Sequence, residues 1–129
     1  MVIDTSAILA ILLRESDAEQ MTKAIRDSRT RLVPALVLLE ASIVLLARHG
    51  EPGWRMLDEF RVAAALDIIA FDGPRMLVAR EAFRRFGKGR HRANLNFGDC
   101  VSYASAISEA MPLLFKGNDF RLTDIEAAI

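Results

Sequence analysis

Four carboxylates in this chain stand where a fold could bring them to one place: Asp4, Glu40, Asp99 and Asp119. Asp4 follows the short apolar run Met1-Val2-Ile3, and Asp119 follows Leu113-Leu114-Phe115 by way of Lys116-Gly117-Asn118. Asp99 stands at a helix start after Asn96-Phe97-Gly98. Glu40 interrupts a helical stretch in which its neighbours Leu36, Val37, Ile43 and Val44 are all apolar, and a carboxylate on a buried face needs a partner. Acids gathered at one sheet edge repel one another unless a cation neutralises them, and hard oxygen ligands suit magnesium or manganese. The chemistry such a cluster implies is phosphodiester or phosphoryl transfer. Each acid also has a simpler explanation: helix capping for Asp4 and Asp99, a turn for Asp119, an internal ion pair for Glu40. Their joint placement points to a site.

A second cluster is basic. The segment from Arg80 to Arg92 carries Arg80, Arg84, Arg85, Lys88, Arg90 and Arg92 together with His91, against Glu81 alone. Beside a phosphodiesterase site, Arg84, Arg85, Lys88, Arg90, His91 and Arg92 are candidates to dock the phosphates of a nucleic acid; a solvated basic face is the other reading. Lys plus Arg and Asp plus Glu are 17 each, so only a local patch can attract nucleic acid. His91 and Cys100 do not suggest nucleophilic catalysis, since Cys100 falls on the inward side of its helix.

The elements that must hold these residues alternate between short strands and helices. The pattern predicts strands at 1–3, 31–33, 67–71 and 113–115. Helices follow from Thr5 to Leu13, from Ser16-Asp17 to Ser28, from Pro34 to a left-handed cap at Gly50, from Pro52 through Ala64, from Gly73 to Gly87 and from Asp99 to Ala110. In the fifth helix Met76, Ala79, Phe83 and Phe86 are expected on the core side; in the sixth, Cys100, Tyr103, Ala104, Ile107 and Met111. This alternation implies an α/β fold, a short parallel sheet with helices on both faces, and chemistry at the carboxyl ends of the strands. A length of 129 residues and 52% hydrophobic content fit one domain, 1–129, with a continuous core. The single cysteine fits a reducing cytoplasm, and no apolar run reaches the ~20 residues of a membrane span.

Val2-Ile3-Asp4-Thr5-Ser6-Ala7, the isolated Glu40, Leu95-Asn96-Phe97-Gly98-Asp99-Cys100 and Leu113-Leu114-Phe115-Lys116-Gly117-Asn118-Asp119-Phe120 resemble the PIN-domain nuclease family. More narrowly, they resemble its VapC toxins of type II toxin–antitoxin systems, over essentially the whole chain. The resemblance implies a PIN-like fold and a magnesium-dependent endoribonuclease, manganese being an alternative ion, that cuts structured RNA of the tRNA or rRNA class. It also implies inhibition by a VapB-type antitoxin, and a homodimer that binds it in an apolar groove near the two N-terminal helices. By motif, Asp4, Glu40, Asp99 and Asp119 are the acidic site, with Asn118 a neighbouring candidate for the last position. Thr5, Ser6 and Asn118 would support those acids. Two other readings compete. One is a phosphotransfer domain with Asp4 as nucleophile, although the second acid of a haloacid-dehalogenase-like site would fall at Ser6. The other is a PIN-like module without catalysis that binds RNA or protein.

Overall fold

The computed structural model describes residues 1–129. Its centre is a four-stranded parallel sheet in the order β3-β2-β1-β4, with β1 at Val2–Ile3, β2 at Leu32–Pro34, β3 at Asp67–Ile69 and β4 at Leu113–Leu114. Val2 pairs with Leu32 on one side and Leu113 on the other, and Ile3 pairs with Leu114. Side chains alternate across a strand, so this register divides the core in two. Ile3, Val33 and Leu114 meet the helices α1 (Thr5–Leu12), α2 (Ala18–Asp27), α3 (Ala35–His49) and α4 (Glu51–Ala63). Val2, Leu32 and Leu113 meet α5 (Gly73–Phe86) and α6 (Phe97–Glu109).

The strand order places the chemistry. From β1 the chain steps outward to β2 and β3, then returns past β1 to place β4 on its other side. Between β1 and β4 the winding reverses, and at such a switch point the loops leaving two adjacent strands diverge and open a crevice. The residues leaving those strands are Asp4 and Lys116 to Asp119. The outer edge of β4 is covered by the C-terminal segment, through Leu113 N to Glu126 O at 2.8 Å and Ala128 N to Leu113 O at 2.9 Å.

Helix ends explain most departures from the expected boundaries. Asn96 caps α6 and Asp99 is its third helical residue, each side chain accepting from the other's backbone N–H, so the helix starts two residues earlier than predicted. Pro34 ends β2 and stands just before α3, whose C-terminal Gly50 has the positive φ (+66°) expected of it but an extended ψ of −156° in place of a left-handed helical cap. On α5 the predicted core face is too wide: Ala82 and Phe86 are buried against α6, whereas Met76 and Phe83 are exposed. The 3.6-residue period marks an apolar stripe but cannot say how much of its width a neighbour covers. Ile107 is likewise exposed, while Cys100, Tyr103 and Ala104 are buried. Ile68 is exposed because β3 is the outer strand. No helix is long and apolar enough to cross a membrane.

Candidate active site

Asp4 is buried at the end of β1, where its extended backbone makes it the cap of α1. Three donors converge on its carboxylate. Oδ2 accepts from Ser6 N at 2.8 Å and Ser6 Oγ at 2.5 Å; Oδ1 accepts from Ser102 Oγ of α6 at 2.5 Å. Capping and site-building are thus the same bonds, and the two readings of Ser6 merge. Ser6 Oγ also accepts from Lys116 N at 2.9 Å, tying the loop after β4 to the loop after β1. The Lys116 ammonium turns away to Glu15 (2.5 Å) and Asp17 (3.7 Å), leaving the acids uncompensated.

Glu40 finds a hydroxyl rather than a base. Thr5 Oγ1 donates to its Oε2 at 2.5 Å, so Thr5, one residue past Asp4, holds α3's acid and not Asp4. The face around Glu40 is less buried than its apolar neighbours imply: Leu36 and Val44 are partly covered, and Ile43 is 61% exposed. They line an open groove with Phe97, Gly98 and Val101.

Asp99 reports the electrostatics. Its carboxyl is pushed up to about 6, first by burial and then by the charges of Asp4, Asp119 and Glu40, against the lowering effect of its bond from the Asn96 N–H. Asp4, Asp119 and Glu40 therefore each lie within electrostatic reach of Asp99, and none of the four pairs with Lys, Arg or His. Asp119 is exposed at the mouth; Asn118 is exposed and offers its backbone oxygen to Arg121 N, with no side-chain bond to the acids. As placed, no three acidic, histidine or cysteine side chains close on one point. That arrangement still suits magnesium, which keeps several of its waters and is held by one or two carboxylates. Uncompensated oxygen ligands fit a hard divalent cation.

The basic segment divides. Arg84 is engaged by Glu81 at 2.8 Å and Arg85 by Asp124 at 2.7 Å, with the Arg85 guanidinium over the Phe86 ring. His91 Nδ1 accepts from Ala93 N, and its ring meets Phe86 edge-on. Arg80, Lys88, Arg90 and Arg92 form no ion pair, so the free cations are only partly those singled out from the sequence. Burial pushes the Cys100 thiol up to about 11, which removes it as a nucleophile.

Two site residues escape sequence reasoning. Ser102 lies three residues after Asp99, on the same helical face, a spacing that could have flagged it. Gly98 gives no sequence signal: a Cβ there would stand 2.7 Å from Glu40 Oε2. Gly98→Ala must therefore displace the Glu40 carboxylate from Thr5. Cleavage should fall roughly 10–100-fold, the scale for losing a supporting contact, with the melting temperature little changed because only a side-chain end moves. Wild-type cleavage by this variant would separate Glu40 from the site.

The fold and its acids define a PIN-type α/β domain, and the family model described as PIN domain matches residues 1–126. A Ribonuclease VapC of Mycolicibacterium smegmatis is 51% identical over 127 residues, covering 98% of both chains. Among solved structures, Mycobacterium tuberculosis VapC20, described as a sarcin-ricin loop cleaving toxin, superposes with TM-score 0.78 at 15% identity over 96% of this chain and 95% of that one. Rickettsia felis VapBC2, solved bound to a DNA fragment from the promoter, gives 0.76 at 17% over 98% and 95%. The chain belongs to the PIN-domain family and, within it, to the VapC ribonucleases. Enzymes of this family are in general metal-dependent.

Proposed function

We propose that this ribonuclease is the toxin of a type II toxin–antitoxin pair and cuts structured RNA of the tRNA or rRNA class with magnesium at Asp4, Glu40, Asp99 and Asp119. The observation that carries the site is geometric: Ser102 of the Asp99 helix bonds Asp4, the Glu40 carboxylate lies against Gly98 one residue before Asp99, and no cation of the protein pairs with Asp4, Glu40, Asp99 or Asp119. Asp4 and Asp99 would hold the ion, with Glu40 and Asp119 beside them; manganese suits the same oxygens. A bound ion supplies Lewis-acid polarisation of a phosphoryl oxygen and lowers the pKa of water at the site. The protein's own part is placement. Ser6 and Ser102 fix both oxygens of Asp4, Thr5 fixes Glu40, and the capping box fixes Asp99. Arg80, Lys88, Arg90 and Arg92 are the free cations for RNA phosphates, joined by His91 and by Arg84 and Arg85 where phosphate displaces their carboxylate partners. Total RNA incubated with protein and magnesium should give discrete fragments from one tRNA or rRNA species. A uniform ladder across all RNAs would contradict recognition of structure.

A VapB-type antitoxin is the partner this reading requires, and the solved Rickettsia felis structure is a VapBC pair. None of the large exposed apolar side chains lies on α1 or α2, near which the antitoxin groove was expected. Trp54, Val62, Ile68 and Ile107 are scattered, but Leu39, Ile43, Leu77, Phe83 and Phe97 of α3, α5 and the first turn of α6 gather, the last 76% exposed. They border two adjoining grooves of about 640 and 390 Å³ that share Phe97 and Val101. Glu40 stands at one end, and Arg80, Arg84 and Arg90 at the other. An exposed apolar face of this extent supports a homodimer through it. Sedimentation at micromolar concentration should show a dimer that Ile43→Asp converts to monomer; a monomeric wild type would count against it.

A further inference from the structure

α6 is buried on every side from Cys100 to Ala106, and in that stretch it carries two serines. Both are wholly buried, yet they behave differently. Ser105 does what a serine inside a helix ordinarily does: its hydroxyl donates back to the carbonyl four residues earlier, Val101 O, at 2.8 Å. Ser102 has the same opportunity one turn away and does not use it. Its hydroxyl leaves the helix and donates to Asp4 Oδ1 at 2.5 Å, across 98 residues of sequence. That bond joins the helix that carries Asp99 to the strand end that carries Asp4. Ser6, from the other side, takes Oδ2 with both its N–H and its hydroxyl, so the Asp4 carboxylate is gripped at both oxygens by two different elements. Of the two grips, the one from Ser6 is local and would survive any shift of α6. The one from Ser102 is a direct side-chain bond between Asp4 and the helix that carries Asp99.

We propose that Ser102 is a positioning residue that sets the orientation of Asp4 and its separation from Asp99, and thereby the affinity of this site for a divalent cation. The inference rests on the reading of Asp4 and Asp99 as the groups that hold the ion. A serine here is otherwise costly: a hydroxyl in a fully buried helix needs a partner, and serine is a poorer helix former than alanine. Ser102 touches no substrate, so its loss should act on ion binding and turnover rather than on the binding of RNA.

The test compares Ser102→Ala with Ser105→Ala, which removes an equally buried hydroxyl from the same helix one turn on. Magnesium alone is titrated into each protein and binding is read from the rise in melting temperature; kcat and KM for RNA cleavage are measured separately. Ser102→Ala should need about 10–100-fold more magnesium for half its maximal rise, with kcat reduced to a similar degree and KM for RNA unchanged. Ser105→Ala should match wild type in all three. Equal responses from the two variants, whether both impaired or both normal, would overturn the proposal, as would a change in KM alone. Ser102→Cys keeps the volume and offers only a weak donor, so it should show the same loss in smaller degree. A wild-type magnesium response from it would overturn the proposal even where the alanine variant does not fold. Asp4→Asn separates this failure from failure of the underlying reading: if it retains both the magnesium response and cleavage, Asp4 is not a holder of the ion at all.

Discussion

Asp99→Asn loses RNA cleavage and, without metal at neutral pH, melts higher than the wild type. The loss should be on the order of 10²–10³-fold in kcat, the scale for deleting one charge-stabilising group. The fold should survive, because an amide oxygen can still accept from the Asn96 N–H as the carboxylate does. The gain in stability follows from linkage. The folded carboxyl titrates at about 6 against an ordinary 3.8, so between those values the folded chain holds a proton that the unfolded chain has released. Asp99 therefore costs the fold nothing below 3.8, and its cost grows as pH rises through that interval to its full extent above about 6. Asparagine removes that cost. Melting curves in EDTA should accordingly diverge in favour of the variant as pH rises and converge in acid; a variant that melts lower at neutral pH, or one that still cleaves, would remove Asp99 from the acidic cluster.

Glu40→Gln extends the same logic to α3. With an internal ion pair, removing the charge would strand a buried base and cost several kcal/mol. Glu40 has no such base; it has the Thr5 hydroxyl, for which a glutamine oxygen is an adequate acceptor. What the substitution removes is one of the charges opposing ionisation of Asp99. The metal-free variant should melt above wild type by an amount on the order of 1 kcal/mol, while added magnesium stabilises it less than it stabilises wild type, since stabilisation follows affinity for the folded state. Cleavage should be largely lost. Paired melting curves with and without magnesium decide the matter: a lower melting temperature in EDTA with an unchanged magnesium shift would make Glu40 a structural residue.

The four acids of the proposed site stand out because each falls where local pattern changes: Asp4 where an apolar strand gives way to hydroxyls, Glu40 as a lone charge among leucines and valines, Asp99 and Asp119 at the edges of apolar runs. Strand and helix types were legible for the same reason. What could not be read depends on approach between elements distant in sequence. Ser102 and Ser105 look alike in a buried helix, and only the return of β4 beside β1, with α6 packed behind them, gives one of them Asp4 as its partner. Gly98 matters through the Glu40 carboxylate that fills the place of a side chain. Met76 and Phe83 repeat at the helical period and still face outward, because periodicity does not reveal the width of the covering helix. Arg84 and Arg85 read as free charge until Glu81 and Asp124 are seen beside them.

The measurement closest to the central claim is cleavage of a folded RNA by protein stripped with EDTA, with magnesium then restored, in parallel with Asp4→Asn prepared identically. The acidic site predicts no cutting in EDTA, discrete cutting on return of magnesium, and none from the variant under either condition. Robust cleavage in excess EDTA, or equal cleavage by wild type and Asp4→Asn, would contradict it.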